Sequence, residues 1–345
     1  MQTNWRETRL PDFGKDHWAV LRRGKVEIAD ESEVATLMRS WQPQNPVLLG
    51  APGAEKFQIP ITVGAYSDVV RHALQRRNRA LSMGFLTLAA FMLVLAVVLL
   101  DVRPLLVGFG SMLFGMAFWL EARRFYASIA CIERRARFFY WLYTSAYPRR
   151  GLILWVAIVS LTGIVQGFSL FATENLATVF ESYGAMYPAL DEGQYWRLIT
   201  GPFLHYSLLH YGVNAILLVV TGTLAWIAVG RVSIILFVLG CIVSTYCQYE
   251  FGGRLFDSTA GLSGGLFTLI GFLALYAVFD NRAFPEGLIA TIVMITLAGG
   301  IYSAGVSEAT ANITHLSGLA TGMVLALLSS AVPGGKKQDS RGFVR

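Results

Sequence analysis

Charge is scarce in this chain. Only 14% of its 345 residues are Asp, Glu, Lys or Arg, where an average soluble domain carries roughly a quarter. Apolar residues make up 54%, and the mean hydropathy is +0.52. Disorder is excluded, because it needs low hydrophobicity and high charge. A single soluble domain is disfavoured as well, since a surface of that size needs more charge. Cysteine is equally sparse. Cys131, Cys241 and Cys247 form an odd set without paired spacing; they exclude a disulfide framework and read as plain apolar residues. No apolar stretch opens the chain, so no cleavable signal peptide is expected. What remains is a polytopic membrane protein with a polar appendage.

The polarity is concentrated at the start. Residues 1–80 read as a small soluble α+β domain, with a hairpin over Trp18 to Ile28 around Arg23-Gly24-Lys25. A helix is expected over Ser32 to Trp41, where Val34, Leu37 and Met38 share one side. From Leu81 onward, apolar runs long enough to cross a bilayer recur. They lie near 81–101, 104–120, 151–172, 204–228, 232–250, 261–279, 286–304 and 313–332. The first two form a tight pair across Asp101-Val102-Arg103-Pro104. A basic segment, 121–150, reads as a cytoplasmic linker to the last six, and residues 333–345 as a cytoplasmic tail. With both termini in the cytoplasm, 25 of the 28 Lys and Arg fall on that side; only Arg103, Arg197 and Arg254 fall on the other. That asymmetry sets orientation. It also accounts for the net charge of +6 without nucleic acid as a partner; lipid is the partner instead.

Ionisable and strongly polar groups inside a membrane are costly and mark functional candidates. His205, His210 and His315 fall in or at the edge of spans, all near one face by this topology. His210 and Asn214 stand one turn apart on one helix face. Both donate hydrogen bonds, which suits either a developing oxyanion or a bond to a neighbouring helix. The segment Gly261-Leu262-Ser263-Gly264-Gly265 matches the G-x-S-x-G pattern of soluble hydrolases, but that elbow needs a strand before it, whereas here a loop is expected before it and the next 15 residues read as membrane helix. It leaves a serine at a helix N-terminus, where free N–H groups favour negative charge, or else a Gly/Ser packing motif. The last span carries His315, Gly318 and Gly322 at i, i+3 and i+7. Two glycines four apart permit close helix approach, and the glycine-rich start of the Ser263 helix is the matching surface. No Asp or Glu lies at mid-membrane depth in the last six spans.

Together these residues resemble the rhomboid intramembrane serine proteases, of the bacterial type, over residues 151–332. The matching stretches are Tyr195-Trp196-Arg197, the run from His205 through His210 to Asn214, Gly261 to Gly264, and His315 through Gly318 to Gly322. The resemblance implies an all-α polytopic membrane fold with a rhomboid-like six-helix core, here with two extra N-terminal transmembrane helices and the soluble α+β domain. It implies Ser263 as nucleophile, His315 as general base, and His210, Asn214 and the Ser263 backbone N–H as the oxyanion site. Trp196 and Arg197 match a structural signature in the long first loop. His205, Gly261, Gly264, Phe267, Gly318 and Gly322 support the site, with Phe267 expected to pack on the His315 ring. No cofactor and no metal are implied, and the substrate class is transmembrane proteins. The implied location is the inner (plasma) membrane. One departure stands out: many relatives place a glutamate four residues before a glycine after the His210 helix, whereas Trp226 precedes Gly230 here.

Two other readings exist. A non-catalytic rhomboid relative binds membrane clients but lacks the serine or the histidine, and both are present. A small-molecule transporter shows related halves or helices broken at mid-membrane, and neither is visible in the sequence.

Overall fold

The computed structural model describes residues 17–22, 24–173, 175–253, 257–280, 284–306 and 312–331. The tail 333–345 and Arg23 lie outside them. The chain divides into two compact units, one built on residues up to Ala146 together with Phe284–Tyr302, the other on Tyr147–Ala283 and the chain from Ser303.

In the first unit, β1 (Trp18–Arg22) and β2 (Lys25–Ala29) form the expected hairpin, in antiparallel register from Trp18↔Ala29 to Arg22↔Lys25. Gly24 turns it with φ +78°, a conformation that costs glycine little. Helix α1 (Glu31–Ser40) starts one residue earlier than predicted because Asp30 caps it: Glu33 N donates to Asp30 Oδ1 at 2.8 Å, and Asp30 N donates back to Glu33 Oε2 at 3.1 Å. This is a reciprocal capping box. Strand β3 (Val47–Gly50) pairs with β1 on its other side, giving the order β2-β1-β3. Val20, Val34, Met38, Trp41, Leu48 and Leu49 close the core under this sheet.

That core continues into the next element. Helix α2 (Gly64–Leu99) is a single 36-residue helix. Its first half buries Tyr66, Val70 and Leu74 in the soluble core, and its second half is the first apolar span. The boundary drawn at residue 80 is therefore not a break in the chain's structure. Leu100, in the left-handed region at φ 51°, ends α2. Asp101 caps α3 (Val102–Leu120) by accepting from Arg103 N at 2.9 Å. The two helices form the expected tight pair. Phe85 stacks on Phe114 and Phe118 at 5.1 and 5.7 Å, and Gly108 sits against the Ala89 carbonyl. Val94, Val97 and Val98 point outward, as lipid-facing residues do.

Segment 121–150 is more than a linker. After a π-helical turn at Glu121–Phe125, α4 (Ile129–Thr144) follows. Tyr126, Ile132 and Ala136 join the same core as Trp18 and Met38. The segment's basic composition masked an amphipathic helix whose buried face carries Cys131, Ile132, Ala136 and Phe138.

The second unit opens with α5 (Ala146–Thr173). Its Trp155 is fully buried, edge-on to Phe237 at 5.4 Å, and occupies the space a side chain at Gly222 would need. The long loop that follows holds α6 (Leu176–Tyr183), β4 (Ala185–Met186), α7 (Tyr187–Asp191) and α8 (Arg197–Thr200). Helices α9 (Leu208–Val229) and α10 (Val232–Phe251) are long and apolar enough to cross a membrane. A two-residue strand β5 (Ser258–Thr259) then precedes α11 (Ser263–Phe279). Helix α12 (Leu288–Val306) belongs through Tyr302 to the first unit, and α13 (Asn312–Ala331) closes the described chain. Among the described residues six helices, α2, α3, α5, α9, α10 and α13, meet the length and hydropathy of a membrane span, and α11 and α12 are shorter apolar helices. The chain is an integral multi-pass membrane protein, all-α apart from the small N-terminal sheet and the β4–β5 pair.

Candidate active site

The site grows from the contact between α11 and α13. Glycine makes it possible. A Cβ on Gly318 would overlap the Gly264 carbonyl, and one on Gly322 would overlap the Thr268 carbonyl. On the reverse face, Gly271 meets the Leu319 carbonyl in the same way. Backbones this close let Thr268 join both helices: its Oγ1 lies 2.9 Å from the Gly264 carbonyl and 3.0 Å from the Gly318 carbonyl. The pair expected from the glycine spacing is thus present, with a buried threonine bonded across it.

Ser263 is the first residue of α11 and only 6% exposed. No side chain caps this helix, so the N–H groups of its first turn lack intrahelical partners. One turn on, the Phe267 ring stacks on His315 with centroids 4.4 Å apart and planes 13° from parallel. Among the described residues no hydrogen bond joins Ser263 to His315; the shared helix contact and the Phe267 stack bring the two elements together.

The opposite wall is α9. Ser207 caps it, accepting from His210 N at 3.1 Å, and so fixes the turn that carries His210. Gly261, at φ +106°, packs directly on this turn. A Cβ there would lie 2.7 Å from His210 Cε1 and 3.3 Å from Asn214 Nδ2. Both the dihedral and the space demand glycine. Asn214 is buried, and its Nδ2 has no hydrogen-bond partner. A buried amide donor left unmade is costly, and such exceptions in a folded protein call for an explanation.

His205 lies beneath these groups, fully buried, with its ring edge-on to His210 at 5.2 Å and to Tyr211 at 5.2 Å. Its Nε2 accepts from Leu262 N at 3.4 Å. The neutral ring must then carry its proton on Nδ1. Gln166 of α5 holds the same residue from behind, donating to the His205 carbonyl at 2.6 Å. His205 therefore supports the residue that precedes Ser263.

Arg197 is buried in the long loop, where it donates to the Gly184 carbonyl at 3.0 Å and to Gln194 Oε1 at 2.8 Å, while its guanidinium lies over the exposed Trp196 ring. It folds the loop on itself, and β4 pairs with β5 through Ala185↔Thr259 and Met186↔Ser258. Tyr206 adds a bond to Ser258 at 2.9 Å. The loop thereby holds the strand that leads into Ser263. Trp226, four residues before Gly230, fills the space over Gly151, and Tyr147 donates to its carbonyl at 3.1 Å.

Three groups went unnoticed in the sequence. Gln248 of α10 is buried and accepts from Thr314 N at 3.1 Å, capping the turn that carries His315. Ser244 fills the space against Gly264, and Thr268 makes the cross-helix bonds above. Each is an uncharged polar residue on a span face, a signal that a search limited to ionisable groups passes over.

In chemical terms the arrangement offers a hydroxyl at a helix N-terminus, an imidazole held by an aromatic ring, and an amide with a free donor. Residues 192–332 match the family model of the Rhomboid domain, and all four motifs fall in order within that stretch.

Proposed function

We propose that this protein is an intramembrane serine endopeptidase that cleaves transmembrane proteins through a Ser263–His315 dyad. The observation that carries the reading is the stack of Phe267 on His315, one turn after Ser263. It supplies the orientation that a carboxylate gives in a triad. In the reaction, His315 takes the Ser263 proton as Oγ attacks a peptide carbonyl. The negative oxygen is met by the Ser263 N–H, Asn214 and His210. The C–N bond breaks as His315 returns the proton to the leaving amine. Water then attacks the acyl-enzyme by the same route and restores Ser263. No cofactor enters these steps.

The charge asymmetry supports an orientation with both termini in the cytoplasm. The site then opens near the non-cytoplasmic face, where water reaches Ser263, and substrate enters sideways from lipid.

The test is labelling with a serine-directed fluorophosphonate in a bilayer, with cleavage of a transmembrane substrate in parallel. Label and cleavage in the wild-type protein, both lost in Ser263→Ala, are expected. Wild-type protein that binds membrane clients yet takes no label would instead identify a non-catalytic relative.

A further inference from the structure

Helix α9 carries His210 in its first turn and Trp226 in its last, which separates the two by about 24 Å along the axis. At the Trp226 end, wholly within the second unit, lies a cleft of about 390 Å³. Tyr147, Arg150 and Leu154 line it from one face of α5, Trp226 from α9, and Arg231 and Ile234 from the start of α10. Both arginines are exposed, and neither has an ion-pair partner among the described residues. No Asp or Glu lines the cleft. Two like charges sharing one cleft repel each other, and an anion set between them removes that cost. Helix α10 starts at this point without a side-chain cap, so the positive end of its dipole adds to the same field.

The aromatic wall of the cleft is fixed in place. The Tyr147 and Trp226 ring centroids lie 6.2 Å apart, and the Tyr147 hydroxyl is tied to the Trp226 carbonyl. The indole Nε1 is enclosed without a hydrogen-bond partner, which leaves a donor beside the two guanidinium groups. Arginine with Trp and Tyr is the composition of a membrane–water boundary. From that boundary an apolar track leads into the span. Val238 stands one turn beyond Ile234 on α10, and Leu161 two turns beyond Leu154 on α5; they are 36% and 61% exposed. A free anion has no use for such a track, whereas the acyl chain of a lipid does.

We propose that this cleft is a binding site for the phosphate group of an anionic phospholipid. Arg150 and Arg231 donate to the phosphate oxygens, as guanidinium groups do with planar or tetrahedral anions. The Trp226 indole supplies a third donor, and the acyl chains lie along Leu161 and Val238. Basic pockets between membrane helices take lipid headgroups by this chemistry. The site stands apart from Ser263 and does not rest on the protease reading.

The experiment uses the full chain, delipidated in a neutral detergent, with bound lipid counted by native mass spectrometry. Phosphatidylglycerol is titrated, and phosphatidylcholine and inorganic phosphate serve as parallel probes. One phosphatidylglycerol is expected to bind ahead of all others, about tenfold or more tighter than phosphatidylcholine, and inorganic phosphate should not displace it. Arg150→Gln with Arg231→Gln should weaken that tightest site by about thirtyfold, and each single substitution by about fivefold, the effect of an arginine at an anionic membrane surface. Ile234→Trp keeps both charges and fills the cleft; it should abolish the tightest site, and it decides the matter if the arginine variant fails to fold. Arg76→Gln with Arg79→Gln removes the same charge from the first unit and should leave the site unaltered. Retention of the tightest site in Ile234→Trp, or in a folded double arginine variant, overturns the proposal. So does an equal loss in the Arg76 and Arg79 variant, or equal affinity for phosphatidylcholine. Displacement by inorganic phosphate would assign the cleft to a free anion and overturn the lipid.

Discussion

Asn214 presents a buried amide nitrogen with nothing to bond. In a ground state that is a penalty of about 1–3 kcal/mol. In a reaction that makes an oxyanion beside it, the same donor is already in place, and no reorganisation is needed when charge develops. Asn214→Ala should therefore lower kcat by about 10²–10³, with little change in KM for a transmembrane substrate. A fall in KM-limited binding alone would argue that the amide serves substrate docking instead. Several residues here were legible in advance. Phe267 was expected on His315 from the family resemblance, and the rings do stack. Gln248 and Thr268 were not, because neutral amides and hydroxyls occur throughout membrane helices and only the fold reveals which face a helix N-terminus or a bare carbonyl.

At the level of helices, α11 and α13 are joined by backbone contact that glycine alone allows. Gly318 faces the Gly264 carbonyl directly, so a methyl group there has no flexible side chain to push aside. Gly318→Ala should lower thermal stability in detergent by about 1–3 kcal/mol, the usual cost of overpacking. It should also weaken fluorophosphonate labelling, because the shift moves the His315 helix. Unaltered melting would mean that the helices separate at no cost. This pairing was readable from two glycines four residues apart. The helical character of 121–150 was not, since seven arginines in thirty residues suggest solvated linker. The buried side of α4 emerges only when Ile132 and Ala136 meet the core of Trp18 and Met38. Likewise, nothing in the sequence marks Glu121 as a residue to be enclosed, because its partners Arg135 and Thr291 lie 14 and 170 positions away.

For the whole molecule, the arginine and lysine distribution makes a directional claim. Single cysteines placed at Leu100 and at Lys25, in a chain freed of its own three, should react differently with an impermeant thiol reagent applied to sealed inside-out vesicles. Lys25→Cys is expected to label and Leu100→Cys is not; the reverse pattern would invert the topology and move the Ser263 opening to the cytoplasmic side.

Helix α2 has one more consequence. It passes from the soluble core into the membrane without a joint, and 36 residues at 1.5 Å each make a rod of about 54 Å. Rotation is transmitted along such a rod as faithfully as length. One residue inserted between Leu74 and Ser82 would turn the membrane half by about 100° against the soluble half, whereas seven would nearly restore the phase. The soluble domain and the first membrane hairpin are thus keyed to each other in angle, so the number of residues between them is constrained even where their identities are not.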